Sequence, residues 1–316
     1  MAAIMKAIEM KSPLNGIIPP MITPLRGRDE LDLAGLERLI EHLLAGGVSG
    51  LFILGTTGEG PSLSYPLRRE LINQVCRHVN KRVPILVGIT DTSFVESVRV
   101  AGFAADAGAY AVVLAPPYYP PEAQSELQEY LDQLLPELPL PVFLQNVPAL
   151  TKIPFDLVTI RRATNNKRII GLNDSSGDMA YFRGAAELIR RRRDWTLFIE
   201  PEEKLLEALQ LGGNGGVSGG ANLFPKLYVK LVEAYRAGDL ARAKELQAQI
   251  QRVGGSLYQV GKHSPSIIKG IKCALACLGI CDDFMAEPLH RFRAGERDLV
   301  QARLRQIEAD LLKLNL

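Results

Sequence analysis

Apolar residues in this chain follow two rhythms that alternate along its length. Short runs such as LFILG (51–55) and AVVLA (111–115) are almost continuously apolar, the mark of strands buried on both faces of a parallel sheet. Longer stretches such as LAGLERLIEHLLAGG (33–47), YPLRRELINQVCRHV (65–79) and FVESVRVAGFAADAG (94–108) repeat their apolar residues every three or four positions, the period of an amphipathic helix. The first and third end in glycine, where a helix terminus favours a left-handed residue.

The exchange between rhythms occurs eight times. Strands are predicted at 16–24, 50–57, 83–90, 109–117, 140–148, 168–175, 196–202 and 216–222, each followed by a helical pattern. Eight such units predict an α/β fold of the TIM (β/α)8 barrel type over residues 16–239. From 240 to 316 there are three helical patterns and no strand: ARAKELQAQIQRVGGSLYQV, SIIKGIKCALACLG and GERDLVQARLRQIEADLLKL. No Pro/Gly/Ser-rich linker precedes them, so they are expected to pack on the barrel as a C-terminal extension rather than form a separate domain. Residues 1–15 are expected to be a loose tail.

Charge and cysteine usage narrow the function classes. Lys and Arg number 37 against 35 Asp and Glu, so there is no basic field for nucleic acid. The run Arg190–Arg193 falls at a predicted helix end, where cations are commonplace. No run approaches the roughly 18 apolar residues of a membrane span, and the N-terminus has no continuous apolar segment of a secretion signal. Cys76, Cys273, Cys277 and Cys281 lack CxxC pairs and neighbouring histidines, which points to packing rather than zinc and to a reduced, cytoplasmic protein. Three of them recur at every fourth position, as on one face of a helix.

A TIM barrel places its chemistry at the C-terminal ends of its strands. Those ends carry Gly55-Thr56-Thr57-Gly58-Glu59, Tyr118-Tyr119, Gln145-Asn146-Val147-Pro148, Asn173-Asp174-Ser175, Glu200-Pro201-Glu202 and Gly216-Val217-Ser218. The four histidines, His42, His78, His263 and His290, all lie elsewhere, which excludes a Ser-His-Asp arrangement. Adjacent hydroxyls at Thr56 and Thr57 suit anion binding in a cavity, although the same residues also make the tight turn a barrel needs.

The segments GTTGE (55–59), NVP (146–148) and DSSGD (174–178), in this order, resemble the dihydrodipicolinate synthase and N-acetylneuraminate lyase family of Schiff-base aldolases. The resemblance runs from about Gly16 to Leu312. It implies a lyase that needs no metal or organic cofactor and binds the carboxylate of a small α-keto acid through Gly55, Thr56 and Thr57, with Val217 on the eighth strand. It also implies a homodimer or homotetramer in which Tyr119 reaches into the neighbouring subunit's site.

Against that pattern the reacting centre departs. Asn173 stands where the resemblance places the Schiff-base lysine, and an amide nitrogen, its lone pair delocalised into the carbonyl, cannot add to a ketone. Gln145 stands at the proton-relay tyrosine and has no ionisable proton. Leu150 occupies an arginine position of the synthases, while Lys152 and Glu200 occupy glycine positions. The expectation is a carboxylate-binding barrel without conventional synthase or lyase activity. Three alternatives stay open: Lys152 substitutes as the amine; Glu200 acts as a base, or with Glu202, Asn173, Gln145 and Asp174 holds Mg2+; or Glu200 accepts hydrogen bonds from Asn173 and Gln145 so that the changes compensate one another.

Overall fold

A computed structural model describes residues 13–316 except 121, 262, 264 and 315. Most of the expected N-terminal tail, residues 1–12, lies outside the described residues. Eight parallel strands form one sheet: Gly16–Ile17, Leu51–Ile53, Ile85–Gly88, Ala111–Leu114, Val142–Asn146, Ile169–Asp174, Thr196–Ile199 and Gly215–Gly216. The first strand pairs with the eighth, and the others pair in chain order. Pro20 bridges Phe52, whose N–H donates to the Pro19 carbonyl at 3.0 Å, so the sheet closes on itself as a TIM barrel.

All eight predicted strands are present, each shorter than its apolar run. Pro19, Pro20 and Pro24 have no N–H to offer a ladder, so regular pairing of the first strand stops at Ile17. The eighth departs most, because Gly219–Asn222 is a 3-10 turn. Asn222 holds that turn by donating to the carbonyls of Pro20 at 3.0 Å and Gly219 at 2.9 Å. A small hairpin, Leu25–Gly27 with Glu30–Leu31, precedes the first helix and had no sequence signal.

Helix ends follow their capping residues. Asp32, Ser64 and Ser93 accept N–H groups at the starts of Leu33–Ala45, Tyr65–Val79 and Phe94–Ala107, which satisfies donors that have no partner within the helix. Gly108 ends the third with φ 87°. After the first helix Gly46 remains right-handed, and Gly47 takes the left-handed turn at φ 82°.

Barrel and helices share a large apolar core, and a second cluster fills the barrel itself: Ile18, Phe52, Leu86, Val113, Phe143, Ile170, Phe198 and Val217. Gly171 is required there, since a Cβ would lie 2.2 Å from the Phe143 ring. Three helices, Leu240–Leu257, Ser266–Cys277 and Ala294–Leu312, make up the last part of the chain. Cys281 lies beyond the end of the second of these, so the three recurring cysteines do not share one helix face. The chain reverses at Gly279, φ 71°, while Cys76, Cys273 and Cys281 are buried as free thiols.

Lys272 on that helix is fully buried and forms an ion pair with Glu59, the last residue of the GTTGE segment. Its ammonium also donates to the Phe284 carbonyl at 2.7 Å, and Glu59 accepts the Ala286 N–H at 2.7 Å. Desolvation lowers the Lys272 pKa, and the Glu59 carboxylate opposes that shift. Removing one partner from such a pair strands the other charge in the interior. Lys272→Met is therefore expected to cost about 3–5 kcal/mol, and adding Glu59→Gln should recover much of the loss. Denaturant titration of the wild type, the single variant and the double variant measures both; a single variant as stable as the wild type would show that the pair carries no net weight.

Candidate active site

Strand register selects the residues that line the barrel mouth. Gln145 is in register with Asn173, and Asn173 with Phe198. Two residues back along the fifth and seventh strands, Phe143 and Phe198 stack with centroids 6.1 Å apart and planes at 15°. These rings form an apolar floor. Above it Glu200, one residue past the seventh strand, is fixed by its N–H to the Asp174 carbonyl at 2.8 Å.

One oxygen of Glu200 organises this layer. Its Oε2 accepts the Asn173 Nδ2 at 3.0 Å and the Gln145 Nε2 at 3.1 Å. Burial raises the Glu200 pKa, and hydrogen bonds from Gln145, Asn173 and Ser175 oppose the shift. A carboxylate can only accept, so each amide turns its NH2 toward it and its carbonyl away. The Asn173 Oδ1 is left buried without a hydrogen-bond partner.

Adjacent residues on the same strands face the other way. Asn146 donates to Asp174 at 2.8 Å and accepts the Phe155 N–H at 3.0 Å, while Asp174 accepts the Ser176 N–H and hydroxyl, both at 3.1 Å. These fully buried groups clasp the loops after the fifth and sixth strands. Glu202 accepts the Gly220 N–H and the Tyr258 hydroxyl, each at 2.8 Å. The five oxygen-bearing residues considered for Mg2+ thus divide: Gln145, Asn173 and Glu200 meet, whereas Asp174 and Glu202 belong to separate networks. Among the described residues no group of three or more His, Cys, Asp or Glu could hold a metal ion.

The GTTGE loop is tight. Leu54 and Glu59 adopt φ 59° and 56°, and a Cβ on Gly60 would lie 2.2 Å from the Leu54 carbonyl oxygen. Gly55 is buried, Thr57 half-buried and Thr56 exposed, so the threonine positions lie toward solvent. Val217 is 1% exposed and packs in the barrel interior. Tyr119 is 78% exposed, and Leu150 is 48% exposed on the short helix Pro148–Thr151. Lys152 ends that helix with φ 68°, is exposed, and donates to the Tyr119 carbonyl at 3.1 Å.

A family model described as the dihydrodipicolinate synthetase family matches residues 13–307. The chain belongs to that family. It is 32% identical over 256 residues to the putative 2-dehydro-3-deoxy-D-gluconate aldolase YagE of Escherichia coli K12, covering 80% of this chain and 84% of that protein. It is 30% identical over 299 residues to the 4-hydroxy-tetrahydrodipicolinate synthase of Methanopyrus kandleri, covering 93% and 96%. Among solved structures, a dihydrodipicolinate synthase from Bacteroides thetaiotaomicron is 49% identical with a TM-score of 0.91, covering 94% of this chain and 99% of that one. YagE in complex with pyruvate is 29% identical with a TM-score of 0.87, covering 93% and 98%. Within the family's frame, the aromatic floor, the Asn146–Asp174 clasp and the Glu59–Lys272 pair escaped sequence reading. Only Lys272 had a local signal, a lysine set among the apolar positions of IIKGIKCALAC.

The raised Glu200 pKa gives a signed prediction. Ionising Glu200 costs more in the native state than in the unfolded chain, so the penalty is absent below the ordinary value of 4.5 and grows as pH rises through the native value. Glu200→Gln, which can still accept both amides, should raise the melting midpoint at about pH 8 and lose that advantage toward pH 4. Parallel melting curves across this range test it; a pH-independent difference would assign the effect to something other than ionisation.

Proposed function

We propose that this family member binds a small carboxylate at the barrel mouth without forming a Schiff base to it. The observation that carries this reading is the shared acceptance of the Asn173 and Gln145 amides by Glu200. On the resemblance, Asn173 is at the lysine position and Gln145 at the tyrosine position; neither can supply a nucleophilic amine or an ionisable proton. The hydrogen bonds support the view that these changes, with Glu200, form one compensated set. Lys152 is a poor substitute because it is solvated and turned to the Tyr119 carbonyl, whereas a Schiff-base lysine needs desolvation to bring its pKa toward neutrality.

Thr56 and Thr57 are the proposed carboxylate contacts, on the pattern of the family, and Val217 supports the pocket from below. The large exposure of Tyr119 supports assembly with further copies of this chain as a dimer or tetramer. Four free thiols support a reducing, cytoplasmic setting. A second reading, proton transfer by Glu200, is favoured by the burial that raises its pKa. Donation by two amides to one of its oxygens weighs against a strong base.

Because the YagE structure holds pyruvate, pyruvate is the natural probe. Incubation with pyruvate and borohydride is expected to leave the protein mass unchanged, while calorimetry detects carboxylate binding that Thr56→Val/Thr57→Val abolishes. A stoichiometric adduct, at Lys152 or elsewhere, overturns the reading.

Asn173→Lys alone should trap pyruvate weakly. Glu200 would hold the new amine as an ammonium, and Gln145 cannot relay protons, a contribution typically of about 10²–10⁴ in rate. Lyase turnover is expected only when Gln145→Tyr and Glu200→Gly are added. Full trapping and turnover by the single variant would show that Gln145 and Glu200 are incidental.

A further inference from the structure

Three features of the mouth bear on the kind of ligand it takes. First, Glu200 places a carboxylate on the inner wall whose side-chain partners, the Gln145 and Asn173 amides and the Ser175 hydroxyl, are all uncharged. Among the described residues no ion pair includes Glu200, and the nearby Asp174 carries charge of the same sign. Second, Asn173 is 3% exposed and its Oδ1 has no partner, an arrangement that carries a desolvation cost unless a donor arrives. Third, the amides must keep their NH2 groups on Glu200, so rotation cannot turn Asn173 into a donor toward the ligand without breaking the layer.

This wall therefore asks its ligand for hydrogen-bond donors and positive charge. A keto acid would set its carbonyl oxygen against acceptors, and a hydroxy acid would bring one donor. An ammonium brings three donors and a countercharge. The Phe143–Phe198 floor and the apolar side chains packed in the barrel interior close the site from below, which favours a short ligand.

Resting on the carboxylate-binding reading above, we infer that the mouth binds a small 2-amino acid as its zwitterion. The carboxylate sits at Thr56 and Thr57, and the ammonium meets Glu200 and the Asn173 Oδ1. No bond is made or broken. The ammonium supplies the cation that Glu200 lacks and the donor that Asn173 lacks.

A melting screen of the full-length protein with the twenty common L-amino acids at about 10 mM identifies binders through their stabilisation of the native state. Calorimetry then compares the best of them with the 2-hydroxy acid, the 2-keto acid and the decarboxylated amine of the same carbon skeleton. The amino acid is expected to bind at least tenfold more tightly than each. Glu200→Gln should cost the amino acid tenfold or more while leaving the hydroxy acid within about twofold, and Asn173→Leu should weaken the amino acid most.

Failure of every amino acid to raise the midpoint overturns the inference. So does equal or tighter binding of the hydroxy or keto acid; if Thr56→Val/Thr57→Val then abolishes that binding, the carboxylate reading stands while the amino-acid class falls. Equal binding of the decarboxylated amine removes the carboxylate contact, and both readings fall with it.

Discussion

Two-residue alternation along the barrel strands is the constraint on which the site depends. Each strand turns successive side chains to opposite faces, so Gln145 and Asn173 face the mouth while their neighbours Asn146 and Asp174 face the surrounding helices. The residue types are nearly the same on the two sides. Inside, the amides converge on Glu200; outside, an amide and a carboxylate clasp two loops. A register slip of one residue would exchange these sets and put the structural clasp in the mouth.

Charge placement divides the carboxylates near the strand ends into two situations. Glu59 is deeply buried but paired with Lys272 and hydrogen-bonded by the chain near Ala286. That pair joins the GTTGE loop to the helix Ser266–Cys277. Glu200 has amides and no cation, and burial raises its pKa. Buried charges are ordinarily neutralised by pairing or by protonation, and among the described residues Glu200 has no cation to pair with.

Membership of the dihydrodipicolinate synthetase family accounts for the scaffold and does not by itself fix the chemistry, since function rests on the side chains grafted at the strand ends. The relatives carry the names of synthases and aldolases. In the present chain the three polar side chains above the aromatic floor, Gln145, Asn173 and Glu200, are hydrogen-bonded to one another and leave the buried Asn173 Oδ1 without a partner.

The eight-fold alternation of apolar rhythms determined the barrel by itself, because continuous apolar runs can be buried only between two covered faces and the intervening helices supply the cover. Gly108 likewise marked a helix end from local chemistry alone. The sequence also marked the strand ends at which to look, and with them Gln145, Asn173 and Glu200. Tertiary structure decided which of those residues meet. Asp174 and Glu202 are as polar as Glu200 and also lie near strand ends, yet they serve other networks. The helix carrying Lys272 reaches Glu59 across more than two hundred residues of sequence, a distance that no local period records. Side-chain direction, long-range ion pairing and the stacking of Phe143 on Phe198 depend on how the strands close into a ring, and closure is a property of the whole chain.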